Sequence, residues 1–137
     1  MIVDAGSTSL GLESTIVAVD DDGALRLLRP GPIDLGLTLS DSGAIEAPGQ
    51  LASHYAPAKP LRLDATSAGQ DEWLIGFGGI GGDATLSASG DLVEAAAQLF
   101  GALHDADASA PPRIAVAPVP EIGLGAAIND RLRRASA

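Results

Sequence analysis

The sequence predicts an α/β fold: a small unit built on a parallel sheet, preceded by a β-hairpin and a long linker. Three observations carry this. Two β-rich runs flank Asp22-Gly23, a two-residue hairpin turn signal. Residues 34–60 are rich in Asp, Ser, Gly and Pro and show little periodicity, as a connector does. From Leu61 onward strand-like and helix-like stretches alternate, the order of a parallel sheet whose crossovers are helices.

The elements follow in chain order. Residues 2–4 are β-rich, and residues 14–29 read as one hairpin that ends at Arg29-Pro30-Gly31, where proline removes a ladder donor. "LRLDA", from Leu61, is a short strand, and "EWLIGFGG", from Glu72, is a buried strand running into glycines. "DLVEAAAQLFGALHDADA" is a helix, with Leu92, Val93, Ala96, Leu99, Phe100 and Leu103 on one stripe. Asp91 is placed to cap it, and Glu94 stands at the capping-box position. "RIAVAPV" is a further strand and "GLGAAINDRLRRA" the last helix.

Composition narrows the function classes. The chain has 137 residues, 46% of them apolar, enough for a core without metal or disulfide staples. It has no cysteine, so a disulfide framework and a thiolate metal site are both excluded. A formal charge of −10 argues against a general nucleic-acid groove, which needs clustered Lys and Arg. Arg131, Arg133 and Arg134 do sit together, where they read as favourable charges in the last turn of a helix. No apolar run approaches the ~18 residues of a membrane-spanning helix, so a soluble cytoplasmic protein is expected.

The most conspicuous motif is "GFGGIG", whose Gly76, Gly78 and Gly81 fit the spacing of a dinucleotide-binding loop. That mechanism needs the glycines to open directly into a helix whose N-terminus holds the pyrophosphate. Here "GDATLSASG" intervenes, so the stretch is expected to be a flexible strand-end loop. A quieter candidate is "GLESTIV". Ser14 and Thr15 offer hydroxyls beside Glu13, and the hairpin register is expected to bring Arg29 across from Ser14. An arginine beside hydroxyls makes an anion pocket, since guanidinium grips phosphate with paired N–H donors. The third candidate lies in "APGQLASHYAPAKPLRL". His54 and the chain's only tyrosine, Tyr55, stand together among three prolines, an unusual investment for a bland linker but a reasonable one for a segment folding over a polar ligand. His104 reads as a solvated or cap histidine, and no histidine–carboxylate spacing suggests a metal site or a nucleophilic triad.

"IVDAGSTSLGLESTIV", "LLRPGPI", "APGQLASHYAP" and "GLGAAINDRLRRAS", in that order, resemble the C-terminal part of the long, two-domain threonylcarbamoyl-AMP synthases, and the resemblance covers nearly the whole chain. It implies that residues 1–33 are the end of a catalytic domain, 34–60 a linker that acts as a lid, and 61–137 a small Rossmann-like domain. The family's reaction joins ATP, bicarbonate and L-threonine into L-threonylcarbamoyl-AMP, releasing pyrophosphate, for N6-threonylcarbamoylation of adenosine 37 in tRNA. By resemblance, Ser14 lines the threonine and nucleotide cavity, Arg29 faces the ATP phosphates, and His54 and Tyr55 belong to the lid. ATP would enter as a substrate with Mg, and no bound cofactor or metal is expected on this chain alone.

Most of the family's catalytic domain is absent from these residues, so the chain is expected to supply lid and accessory unit and to be inactive by itself. Its partners would then be a separate catalytic subunit or a second copy of itself, with direct nucleic-acid binding not expected. The alternative is a non-catalytic interaction or regulatory module that docks on a catalytic partner or on tRNA. A two-stranded hairpin with an apolar face is marginal alone. Residues 1–45 are therefore expected to be disordered, swapped or docked, and a hairpin ordered against its own small unit would count against that.

Overall fold

The computed structural model describes residues 1, 3, 6, 8–40, 45–48 and 56–137. The first sheet is the hairpin, β1 (Ile16–Val19) antiparallel to β2 (Leu25–Arg29), with Val17 opposite Leu27 and Val19 opposite Leu25. Its loop is one residue longer than the Asp-Gly signal predicts. Asp20 N–H donates to the Ala24 carbonyl at 2.9 Å, Gly23 N–H donates to the Asp20 carbonyl at 2.8 Å, and Gly23 takes a φ of 85°. Three residues thus turn the chain, and the glycine supplies the left-handed step such loops need. Of the β-rich run at residues 2–4, only Val3 is described, and it is not in a strand.

The second sheet has four strands in the order β3 (Leu61–Arg62), β6 (Arg113–Val116), β4 (Glu72–Gly76), β5 (Ala84–Thr85), and every neighbouring pair is parallel. The short β5 falls inside "GDATLSASG", where the sequence shows no strand signal. Two helices complete the unit: α1 (Leu92–Ala108) and α2 (Leu124–Ala135). Alternation decides which strand residues meet them. Ile75, Ile114 and Val116 join one core with Leu99 and Leu103 of α1 and Ile128 and Leu132 of α2, while Leu74 and Ala115 face the other side with Ala65.

The buried face of α1 is smaller than the expected stripe. Ala95, Ala102 and Ala106 carry it beside Leu99 and Leu103, whereas Val93 is half exposed. Alanines let a helix lie close to its sheet, so spacing alone cannot rank them against larger apolar neighbours. The capping box is relayed. Asp91 Oδ1 accepts the N–H groups of Val93 and Glu94, both at 2.8 Å, but Glu94 does not reach back to Asp91. The buried Ser87 hydroxyl instead accepts the Asp91 N–H at 2.9 Å and donates to Glu94 at 2.5 Å. At the other end the linker supplies the charge that α1 lacks. Lys59 Nζ donates to the carbonyls of Ala106 at 2.9 Å and Ser109 at 2.6 Å.

The glycine stretch is not a free loop. Asp83 N–H donates to Leu74 O, Leu86 N–H to Gly76 O and Gly78 N–H to Ser87 O, so it is laced back onto β4 and leads into β5, not into a helix. Among the described residues no helix is long and apolar enough to cross a membrane, and no histidine–carboxylate group could hold a metal ion.

Candidate functional site

The site is built where the segment before β1 meets the end of β2. Leu12 is buried in the core of the α/β unit, and a side chain at Gly11 would collide with the Ala96 carbonyl of α1. Residues 11–12 therefore anchor the hairpin to its own small unit. Of the expected disordered, swapped or docked states, disorder is not met among these described residues, because Leu12 gives the hairpin a foothold that the hairpin's own apolar pattern does not reveal. Exposed apolar side chains do remain on its outer part, at Val19, Leu25, Leu39 and Ile45.

Beyond Leu12 the backbone of Glu13, Ser14 and Thr15 lies against Gly31, where a Cβ would strike Thr15 N and Glu13 O. Thr15 locks the return. Its hydroxyl donates to Ile33 O at 2.9 Å and accepts the Ile33 N–H at 3.1 Å. The β-ladder places Arg29 opposite Ile16, not opposite residue 14, with the register shifting between Ile16 and Val17. The pair predicted from the hairpin still forms, because the arginine side chain lies back along the strand. Arg29 Nε donates to Ser14 O at 3.0 Å and Nη2 donates to Ser14 Oγ at 3.2 Å. Nη1 donates to Pro48 O at 3.1 Å, which ties the hairpin to the linker.

Arg29 is only 8% exposed, and its acceptors among the described residues, Ser14 and Pro48, are neutral. The described residues take up three of the five N–H donors of the guanidinium. Among the described residues no carboxylate pairs with Arg29, while Ser14 next to it is an exposed residue. A fixed cation in a dry corner, with a hydroxyl beside it, is suited to an anion, and phosphate matches its geometry. His54 and Tyr55 lie outside the described residues; Pro48, which accepts from Arg29, is the last described residue before them. His104 is exposed on α1.

The arginine cluster of α2 divides by role. Arg133 pairs with Glu121 at 2.6 Å and Arg134 with Asp130 at 3.0 Å, both consistent with last-turn charges. Arg131 does not belong with them. It is 3% exposed, and its Nε lies 2.9 Å from Glu13 Oε2, one residue before Ser14. Burial pushes the Arg131 guanidinium below its ordinary value; the carboxylates of Glu13 and Asp130 oppose this, and the charges of Arg134 and Arg29 add to it. Sequence reading missed the role of this residue, although a signal was present. Ala127, Ile128, Arg131, Leu132 and Ala135 share one helical stripe, so Arg131 sits on the apolar face of α2.

With this geometry in view, the likeness to known proteins is specific. The family described as threonylcarbamoyl-AMP synthase, C-terminal domain, matches residues 18–137. The threonylcarbamoyl-AMP synthase of Bacillus subtilis (strain 168) is 31% identical over 167 residues, covering 98% of this chain and 48% of the relative. That of Pyrococcus abyssi is 29% identical over 166 residues, with the same two coverages. The crystal structure of P. abyssi Sua5 complexed with L-threonine superposes with a TM-score of 0.77 at 26% identity, over 97% of this chain and 48% of that one. The chain spans about half the length of the curated relatives it matches, and it belongs to the family of threonylcarbamoyl-AMP synthase C-terminal domains.

Proposed function

We propose that this chain forms one wall and the lid of a site that makes L-threonylcarbamoyl-AMP from ATP, bicarbonate and L-threonine, releasing pyrophosphate, for N6-threonylcarbamoylation of adenosine 37 in tRNA. In this reading residues 1–33 close the catalytic domain, 34–60 form the lid and 61–137 brace both, in the cytoplasm. The observation that carries it is the buried Arg29, held by Ser14 and Pro48 through neutral oxygens alone and paired with no carboxylate among the described residues. The P. abyssi relative complexed with L-threonine supports the substrate class.

Arg29 would meet the ATP phosphates, with Mg accompanying the nucleotide, and would hold the negative charge that grows on pyrophosphate as it leaves. A fixed donor in a dry site stabilises such charge without reorganising. The Ser14 hydroxyl would orient the threonine or nucleotide oxygen beside it. The Arg29–Pro48 hydrogen bond would report lid position to the phosphate site, with His54 and Tyr55 shielding the carbamate from water. The remaining walls would come from a catalytic half that covers the exposed Val19, Leu25 and Ile45, so the chain is inactive alone.

Calorimetry with ATP and L-threonine on the chain alone, then mixed with a separately expressed catalytic half, tests this. Binding is expected only in the mixture, lost on Arg29→Ala and weakened on Tyr55→Ala. The competing reading is a non-catalytic module docking through the same exposed apolar hairpin. It predicts that the halves associate while Arg29→Ala leaves ATP binding unchanged.

A further inference from the structure

The α/β unit touches the Ser14–Arg29 corner through a charged side chain that the phosphate-site reading does not use. Arg131 lies mid-helix on α2, 3% exposed, with Nε 2.9 Å from Glu13 Oε2. The pair is close but poorly aligned. Glu13 Oε2 and both terminal nitrogens of Arg131 are buried and find no hydrogen-bond partner among the described residues. Asp130 stands 3.7 Å from Arg131 Nη2, yet its carboxylate is taken by Arg134 through bonds of 3.0 and 3.1 Å. This is a poor way to stabilise a fold. The desolvation of a buried ion pair rivals its attraction, and each unmet buried donor adds a further penalty. Apolar side chains at both positions would fill that space without either cost, whereas removing one partner strands the charge of the other.

What the pair does achieve is placement. Glu13 precedes Ser14, and both the carbonyl and the hydroxyl of Ser14 receive Arg29. Gly31 packs so closely on the backbone of Glu13 to Thr15 that this segment has no slack on its other side. A shift of Glu13 therefore redirects Arg29. We propose that Arg131 is a positioning residue for the anion site: from α2 it holds Glu13, and thereby sets where Ser14 sits and where Arg29 points. This rests on the reading of Arg29 as a phosphate-binding group, and it gives the small α/β unit a defined part in that site.

A double-mutant cycle, read by ATP calorimetry on the chain mixed with the catalytic half, tests it. Arg131→Met is expected to lower the unfolding midpoint, because it strands the buried Glu13 oxygen, and, in protein still folded at the assay temperature, to weaken ATP binding roughly tenfold, since small misplacements of a binding group are costly. Arg131→Lys, which keeps a cation near Glu13, should recover part of the loss. In an Arg29→Lys background, where weakened ATP binding can still be measured, Arg131→Met should add nothing further. Wild-type ATP binding by Arg131→Met, where Arg29→Ala has lost it, would overturn the proposal and leave the phosphate site standing. So would an equal loss in both backgrounds, which marks a merely structural effect. If Arg29→Ala itself binds ATP normally, the phosphate reading falls and takes this proposal with it. Should Arg131→Met fail to fold, Glu13→Gln enters the same cycle with the same non-additivity expected.

Discussion

Arg29 and Arg131 are both buried guanidinium groups, and they meet the cost of burial in different ways. Arg29 finds neutral oxygens at three of its donors and pairs with no carboxylate among the described residues. Arg131 has a carboxylate beside Nε, and its terminal nitrogens are unmet among the described residues. The first arrangement suits a ligand and the second suits alignment. Another charged pair, Arg62 with Glu72, links β3 to β4 across the intervening β6, with Arg62 Nε and Nη2 donating to the carboxylate at 3.0 and 2.7 Å. Those bonds, and then the Gly69 N–H, hold the Glu72 carboxyl down at about 2 instead of its ordinary 4.5. The folded chain thus keeps Glu72 ionised where the unfolded chain would take up a proton. Its contribution to stability is fully present above pH 4.5 and is lost as pH falls through about 2. Urea midpoints measured from pH 6 to pH 2 should therefore fall more steeply for the parent than for Glu72→Gln. Parallel curves would mean the pair adds nothing.

At the level of elements, local signals worked wherever the controlling contact is local. The Asp91 cap of α1 is such a case, and Asp91→Ala should lower stability by about 1 kcal/mol in chemical denaturation. The Ser87 relay was not legible, because Ser87 reaches the helix from a loop whose course depends on β5. Gly31 illustrates the same limit. Its neighbours in sequence mark a turn, but the reason for glycine is the backbone of residues 13–15 passing across its Cα. Gly31→Ala should therefore cost about 1–3 kcal/mol, the range for forcing atoms into a packed site, and should disturb Ser14 with it. An unchanged midpoint would show that the turn has room to move.

For the whole molecule, the hairpin and the α/β unit are joined by Leu12, which lies among the core residues of α1 and the sheet. Leu12→Ala is expected to cost about 2–4 kcal/mol. Because Trp73, the only tryptophan, sits on β4, its fluorescence should report that loss as an earlier single transition. A Trp73 midpoint unmoved by the substitution would mean the two parts unfold independently. The sequence by itself determined the alternation of strands and helices, the two β-rich arms of the hairpin and the Ser14–Arg29 pairing, since each rests on periodicity, on turn residues or on neighbours a hairpin apart. The tertiary structure alone decided the rest. It placed the two-residue β5, made alanines the buried face of α1, seated Leu12 in a distant core and turned Arg131 from a helix-end charge into a contact with Glu13. In each of these the deciding atoms are remote in sequence, so no local pattern could carry the information; the apolar stripe of α2 shows that Arg131 faces inward, but only the fold supplies Glu13 to meet it.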